Sequence, residues 1–419
     1  MPTGFYLVIA SQFLSALADN ALLIVAMARM QEIGLSGWWA PLLKLSFTLS
    51  YVVFAPWVGT LADAVPKERL MAWMNGLKVV GAMLMLWGAH PLLAYGLVGL
   101  AAAAYAPAKY GIVTERVPAS RLVAANGWIE VSIVCAVLLG AVTGGALISP
   151  QMAASSLAAE VRQLAALVLA QPTAWLPGLL VISALYAVAA LLNLGIPPGD
   201  RRYAITWEGP LRMVGQFRAA NIQLWRDRDG GLSLAVTTLF WGAGATLQFI
   251  VLDWAQRDLQ LGLDQAAYLQ GAVAVGVVVG AALAGRWVRL QHAKRVLLIG
   301  VAMGLLTPCM TQVHSLTWAI ALLVLIGASA GFFVVPMNAL LQDRGCRILS
   351  AGRSIAVQGF NENLSVLAML SIYAALLALE LPISWLIWGF GLLVAGIMGL
   401  LMAHDRRCAG LAVRAAGCP

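Results

Sequence analysis

Gly59-Thr60-Leu61-Ala62-Asp63-Ala64-Val65-Pro66-Lys67-Glu68-Arg69 joins two apolar stretches, residues 39–63 and 70–89, each about the 20 residues that a helix needs to cross hydrocarbon. Small residues, one carboxylate, a proline and three consecutive charges make a short polar turn between two spanning helices. Outward from this turn the pattern recurs. Further spans are predicted over residues 5–30, 92–114, 122–148, 176–196, 232–254, 266–287, 296–313, 316–341, 354–379 and 384–403, twelve in all.

Composition agrees with a membrane solvent. Of 419 residues, 61% are hydrophobic and 11% charged, where soluble domains carry about 25% charged residues. The net charge of +8 would suit nucleic acid if position were ignored. Position argues otherwise: with the N-terminus inside, 20 of the 26 Lys and Arg fall in the inner segments. The positive-inside rule therefore predicts both termini in the cytoplasm. The first ten residues lack a basic leader, so the first stretch reads as a retained helix rather than a cleaved signal.

The longest polar interval, opened by Pro197-Pro198-Gly199 and crowded with arginine, divides the chain. It predicts an N-terminal six-helix bundle over 1–196, a cytoplasmic linker over 197–231, and a C-terminal six-helix bundle with a short tail over 232–419. A second interval, 149–175, should be external, with Leu157, Val161, Leu164 and Val168 at helical spacing and a short interfacial helix expected there. Trp38, Trp39, Trp175, Trp254 and Trp318 read as interface anchors.

The halves resemble one another. Pro107, Glu115-Arg116, Ala125-Asn126-Gly127 and Glu130 find loose counterparts in Pro336, Asp343-Arg344, Ser350-Ala351-Gly352 and Glu362. A parallel repeat of six helices is the architecture of the major facilitator superfamily. The opening stretch resembles that superfamily's signature between helices 2 and 3, where small residues allow close contact and the acid meets neighbouring helix ends. Gly280 to Gly285, followed by Arg286, Arg289 and Lys294, is a worn copy without the aspartate.

Polar groups inside spans are the candidates for function, because a charge at the bilayer centre costs about 2.5–3.5 kcal/mol on insertion scales and faces a partner or a wet cavity. The first half places Asp19, Asn20, Lys44, Asn75, Lys78, Lys109, Asn126 and Glu130 there. The second half places Gln248, Asp253, Asn338, Gln342, Gln358, Asn361, Glu362 and Asn363. Both signs in an apolar bundle suit an amphipathic solute with a charged head. A bland reading and a sharper one, proton coupling, stand beside this one. Asp19, Lys78, Lys109 and Glu130 can form ion pairs that only register the helices, and Asp19 and Glu130 can either carry protons or stay ionised beside lysine. Asp63, Arg69, Glu115, Arg116, Asp343 and Arg344, at predicted cytoplasmic helix ends, read as gates or latches.

Seven blocks in order resemble the bacterial lysophospholipid transporter family, LplT, within that superfamily. They are Gln12-Phe13-Leu14-Ser15-Ala16 with Asp19-Asn20-Ala21-Leu22-Leu23; Asn75-Gly76-Leu77-Lys78; Ala104-Tyr105-Ala106-Pro107-Ala108-Lys109-Tyr110-Gly111-Ile112; Ala125-Asn126-Gly127 with Glu130; Leu239-Phe240-Trp241-Gly242-Ala243-Gly244; Gly331-Phe332-Phe333-Val334-Val335-Pro336 with Asn338-Ala339-Leu340-Leu341-Gln342; and Ala356-Val357-Gln358 with Glu362-Asn363. The resemblance implies movement of lysophosphatidylethanolamine and lysophosphatidylglycerol from the outer to the inner leaflet of the bacterial inner membrane. There an acyltransferase and acyl-carrier-protein synthetase would reacylate them. The candidate substrate-binding set is Asp19, Asn20, Lys78, Lys109, Tyr110, Asn126, Glu130, Trp241, Gln248, Asn338, Gln358 and Glu362. Gln248 departs from the family, which often carries arginine there, and the interval 149–175 is longer than usual.

The expectation is a facilitative lipid flippase, alternating its access, with no cofactor because no phosphate-binding loop is visible. The alternative is a proton-coupled exporter of amphipathic drugs. An enzyme is not expected, since no nucleophile, histidine and acid converge at one membrane depth. His90, His292, His314 and His404 have no second ligand at helical spacing, so no metal site is predicted, and the five cysteines show neither a disulfide framework nor a zinc pattern.

Overall fold

The computed structural model describes residues 3–34, 40–156, 159–160, 163, 175–199, 209–261 and 263–416, and among these the chain is helical without strands. The long helices are α1 (Thr3–Glu32), α2 (Ala40–Val53), α3 (Ala55–Ala64), α4 (Lys67–Leu86), α5 (Pro91–Arg116), α6 (Leu122–Leu147) and α7 (Leu176–Leu194). After them come α8 (Pro210–Arg226), α9 (Arg228–Arg257), α10 (Leu263–Trp287), α11 (Leu297–Leu306), α12 (Leu316–Ile348), α13 (Ala351–Ala378) and α14 (Ile383–Ala416). Among the described residues, ten helical segments are long and apolar enough to cross a membrane, or eleven if the bent pair α2–α3 is counted as one span. The twelfth is α4. Its 20 residues reach about 30 Å at 1.5 Å each, and it packs against α5 and α7. Its apolarity is diluted by Lys67, Glu68, Arg69, Asn75 and Lys78.

Local chemistry explains where these helices break. The predicted span 39–63 bends by 65° between α2 and α3. Pro56 sits at the start of α3, where its ring removes one donor and excludes the carbonyl of the preceding turn. The predicted span 296–313 is α11 continued by 3₁₀ turns, Leu290–Val296 before it and Thr307–Gln312 after it, with Pro308 opening the second. His90 starts α5 by accepting the Leu92 N–H on Nδ1 at 3.2 Å. Many large side chains left exposed on the spans are apolar, among them Leu93, Val142, Leu191 and Leu400, whereas Lys44 and Gln248 are exposed polar exceptions.

Contacts divide the chain into two compact units. One comprises Met1–Val117, Ser132–Arg218 and Leu349–Phe360; the other comprises Pro118–Val131, Ala219–Ile348 and Asn361–Pro419. In the first, α1, α4, α5 and α7 surround a core that includes Leu22, Val25, Met85, Val98 and Tyr186. In the second, α9, α11, α12 and α14 close over Ile250, Trp254, Phe333, Met337 and Ile387.

The α10–α12 pair packs closest, and glycine is the reason. A Cβ at Gly280 would lie 2.0 Å from the Ala328 carbonyl oxygen, and one at Gly327 would lie 2.2 Å from that of Val273. The backbones touch where a side chain would stand.

Two expectations change, and a third falls largely outside the described residues. Trp254 is fully buried and Trp175 nearly so, the latter beneath Arg29, whose guanidinium carbon lies 4.7 Å from its ring. Neither is a lipid anchor, whereas Trp318 is exposed; Trp38 and Trp39 lie outside the described residues. The arginine-rich interval contains a helix, α8, that its polar composition concealed. Of the interval 149–175, Pro150–Ala153 form one helical turn and Ser156, Ala159, Glu160 and Gln163 are also helical, while the rest of the expected interfacial helix, with Leu157, Val161, Leu164 and Val168, lies outside the described residues.

Candidate functional site

Two of the predicted polar residues meet inside the first unit. Asp19 on α1 and Lys78 on α4 form an ion pair at 2.7 Å, with side chains 14% and 2% exposed. The carboxylate accepts from a second donor, Tyr186 Oη on α7, at 2.8 Å to its other oxygen. The ammonium also donates to Ser15 Oγ at 2.9 Å, and that hydroxyl donates onward to Asn75 Oδ1 at 2.7 Å. Tyr105 and Tyr186 flank Lys78, their ring centroids 5.4 and 5.5 Å from Nζ. Such rings stabilise a cation held away from water.

Helical spacing builds this cluster. Ser15 and Asp19 are four residues apart on α1, and Asn75 and Lys78 three apart on α4, so each pair shares a face. The arrangement holds one positive and one negative group within hydrogen-bonding distance in an apolar surround. It can exchange either internal partner for a ligand group of the same sign: a phosphate for Asp19 at the ammonium, or an amine for Lys78 at the carboxylate.

The other candidates are more dispersed. Asn20 donates its amide to the Ala16 carbonyl of its own helix at 2.8 Å, apart from the Asp19 network. Lys109 is buried, its Nζ 4.2 Å from the neighbouring Tyr110 ring centroid. Glu130, Asn338 and Gln358 are buried, and Glu362 is half-buried on α13. Trp241 is half-buried against Phe240 in an edge-on contact at 5.6 Å. Gln248 is exposed on α9. Ser15, Tyr186 and Tyr105 were absent from the predicted set; Ser15 is visible as the residue one turn before Asp19, while nothing local to Tyr186 signals its carboxylate partner.

The residues expected at gates make two kinds of tie. The first is the end of the opening stretch. Asp63 on α3 caps α13: Ser350 Oγ and the Arg353 N–H donate to Oδ2, and the Gly352 N–H donates to Oδ1 at 3.0 Å. A carboxylate at a helix N-terminus satisfies orphan donors and complements the helix dipole. Gly59 makes the approach feasible, since a Cβ there would meet the Ala356 Cβ at 2.8 Å and the Gly352 carbonyl oxygen at 3.1 Å. Beside it Lys67 pairs with Glu115 at 2.9 Å, both side chains 7% exposed.

The second unit repeats the geometry with other chemistry. A Cβ at Gly127 would lie 2.9 Å from the Ala281 carbonyl oxygen and 3.3 Å from the Gly285 Cα, so the worn copy of the signature crosses the start of α6 as the intact one crosses the start of α13. No aspartate is present there. Instead Asn126 and Gln342 exchange amide hydrogen bonds, Nδ2 to Oε1 at 2.9 Å and Nε2 to Oδ1 at 2.8 Å, both side chains buried.

Sequence neighbours expected to act as acid–base pairs look elsewhere. Arg116 donates to the Pro197 carbonyl and Glu115 meets Lys67. Asp343 pairs with Arg347 one turn on at 3.0 Å. Arg344 forms a fork with Asp227, two bonds of 2.9 Å, while Asp227 caps α9 by accepting the Gly230 N–H at 2.7 Å. That fork holds the Asp227 carboxyl below its ordinary range, against a smaller opposing effect of burial. Arg69 is exposed on the first turn of α4.

A bundle of spanning helices, repeated in two copies and carrying a buried pair of opposite charges, defines a polytopic membrane transporter. Residues 8–361 match the family described as the Major Facilitator Superfamily. Solved structures with the same fold include the transporter FucP in the outward conformation, with a TM-score of 0.70, 16% identity and coverage of 96% of this chain and 98% of that one. The human organic anion transporter MFSD10 gives 0.69 at 15% identity, covering 97% and 100%.

Closer relatives are proteins named lysophospholipid transporter LplT. That of Yersinia enterocolitica is 40% identical over 384 residues, 91% of this chain and 89% of its own. That of Citrobacter koseri is 40% identical over 408 residues, 96% of each. The chain belongs to this LplT family of the Major Facilitator Superfamily.

Proposed function

We propose that this chain transports lysophospholipids across a bacterial inner membrane by alternating access, from the outer to the inner leaflet. The reading rests above all on one observation: relatives matching it over almost its whole length carry that name. The Asp19–Lys78 pair supports it chemically. A lysophosphatidylethanolamine head offers a phosphate to Lys78 and an ammonium to Asp19 in exchange for their bond to one another, while a single acyl chain stays among apolar side chains. The proton-coupled drug exporter is not favoured by these relatives.

In this reading both termini are cytoplasmic, as the distribution of basic residues requires. The bundles over 1–196 and 232–419 alternate about the path, with 197–231 between them. Lysophospholipid delivered to the inner leaflet is the substrate of an acyltransferase and acyl-carrier-protein synthetase. Asp63 with α13, and Asn126 with Gln342, act as cytoplasmic latches that part when the path opens inward. Lys109, Glu130, Gln358 and Glu362 complete the polar lining.

Ligand stabilisation tests the site. A lipid at about 100 times its Kd stabilises a folded protein by about 2.7 kcal/mol, a readable rise in Tm. Lysophosphatidylethanolamine should raise the Tm of detergent-purified protein, and the diacyl lipid should not. The isosteric Asp19→Asn should weaken binding roughly tenfold to a hundredfold, as expected for a hydrogen bond to a charged group, about 1.5–3 kcal/mol. Unchanged affinity in folded Asp19→Asn and Lys78→Met variants would remove this pair from the substrate path.

A further inference from the structure

Helix α8 presents three faces, one of which is packed against described residues of the protein. Met213, Phe217, Ala220 and Leu224, at i, i+4, i+7 and i+11, form the packed face. Phe217 packs against the cluster of Val58, Ala104 and Ala356, and meets Phe360 edge-on at 5.3 Å. Farther along, Asn361 of α13 accepts the Trp225 indole N–H at 3.1 Å and donates to Asn221 at 3.0 Å.

A second face, one third of a turn away, carries Leu211, Val214, Ile222 and Trp225 at i, i+3, i+11 and i+14, with Arg218 among them. All five are exposed, Leu211 by 88%. The third face is polar and includes Arg212, Gln223 and Arg226. Arg212, Arg218 and Arg226 form no ion pair with any described residue.

The end of this helix is fixed in height. One residue, Asp227, separates Arg226 from the first residue of α9, a membrane-spanning helix. The C-terminal end of α8 is therefore held beside the polar end of that span, where hydrocarbon gives way to head groups. Three faces then match three surroundings: protein for the packed face, acyl chains for the apolar one and water with phosphate for the arginines. Arg218, inside the apolar stripe, has a stem long enough to carry its guanidinium out to the head-group layer.

We infer that α8 is an interfacial lipid-binding helix, whose exposed apolar stripe is buried in the bilayer and whose arginines bind the phosphates of acidic phospholipids. The leaflet, the cytoplasmic one, rests on the orientation proposed above; burial of the stripe does not. The lipid bound here is a diacyl component of the membrane and not the transported molecule.

The test needs no transport. In full-length, cysteine-free protein in nanodiscs, a bimane label is placed on the stripe by Ile222→Cys, or on the polar face by Gln223→Cys. The Ile222→Cys label should be quenched by lipids carrying a nitroxide near the head group and shielded from aqueous iodide, with the opposite pattern for Gln223→Cys. Replacing phosphatidylcholine with phosphatidylglycerol should deepen the lipid quenching. Combining R212Q, R218Q and R226Q should abolish that dependence, consistent with about fivefold in membrane affinity for each basic residue.

Iodide quenching of the Ile222→Cys label without lipid quenching would overturn the proposal, and would leave the stripe as a face for a soluble protein. Lipid quenching indifferent to phosphatidylglycerol would overturn the binding of acidic head groups. The substitutions fall on exposed side chains, and a monodisperse elution profile confirms that each variant is folded.

Discussion

At the scale of single residues, burial decides which charges matter. Asp19 and Lys78 were legible as intramembrane charges able to pair, but which of Asp19, Lys78, Lys109 and Glu130 would pair was not, because α1 and α4 are joined only by tertiary contact. The same holds for Asp227 and Arg344, 117 residues apart. Asp227 also gives a pH prediction. Its folded pKa is lowered by the Arg344 fork, so its contribution to stability is fully present above the unfolded carboxylate value, about 3.9, and is lost as pH falls through the lower folded value. Thermal unfolding in detergent should show part of the acid-induced loss of stability below about pH 4 missing in Asp227→Asn, which should already be less stable at pH 7. Identical acid limbs for the two proteins would contradict the assignment.

At the scale of elements, the helices were read well where hydropathy is uniform and poorly where proline or amphipathicity intervenes. Pro56 lay in plain view inside the stretch 39–63, yet an apolar run alone does not say whether a proline will bend a span or be absorbed by it; Pro107 and Pro336 remain inside continuous helices. Helix α8 was hidden by arginine, although Met213, Phe217, Ala220 and Leu224 were spaced for one helical face. The intact and worn signatures were recognised as copies. The use of the intact copy was legible too, since Asp63 meets a neighbouring helix end; that of the worn copy was not, because the Asn126–Gln342 pair makes the tie there with different groups.

Close packing between α10 and α12 gives a direct test at this scale. Gly280→Val forces a side chain into the Ala328 backbone, and overpacking of this kind costs about 1–3 kcal/mol. A clear drop in Tm is expected. Gly244→Ala is the control, since no atom lies within 4 Å of its Cβ position; its Tm should hold or rise, by up to about 1 kcal/mol of helix propensity. Equal behaviour of the two variants would deny that the glycines are needed for helix approach.

For the whole molecule, composition, basic-residue distribution and ordered sequence blocks were enough to identify a polytopic transporter and its family, and the match over residues 8–361 agrees. Activity adds the demand that one polar centre serve a charged head while the surrounding bundle accepts a chain of hydrocarbon. In the function proposed above, the Asp19–Lys78 pair is assigned to the first demand, with internal partners that a zwitterionic head would replace. The direct measurement is made in proteoliposomes of purified protein, with head-group-labelled lysophosphatidylethanolamine added outside and the accessible fraction removed by albumin. The account predicts protein-dependent transfer to the protected leaflet that survives collapse of the proton gradient and leaves labelled diacyl phosphatidylethanolamine behind. Folded protein that moves the lysolipid no faster than empty liposomes would contradict it.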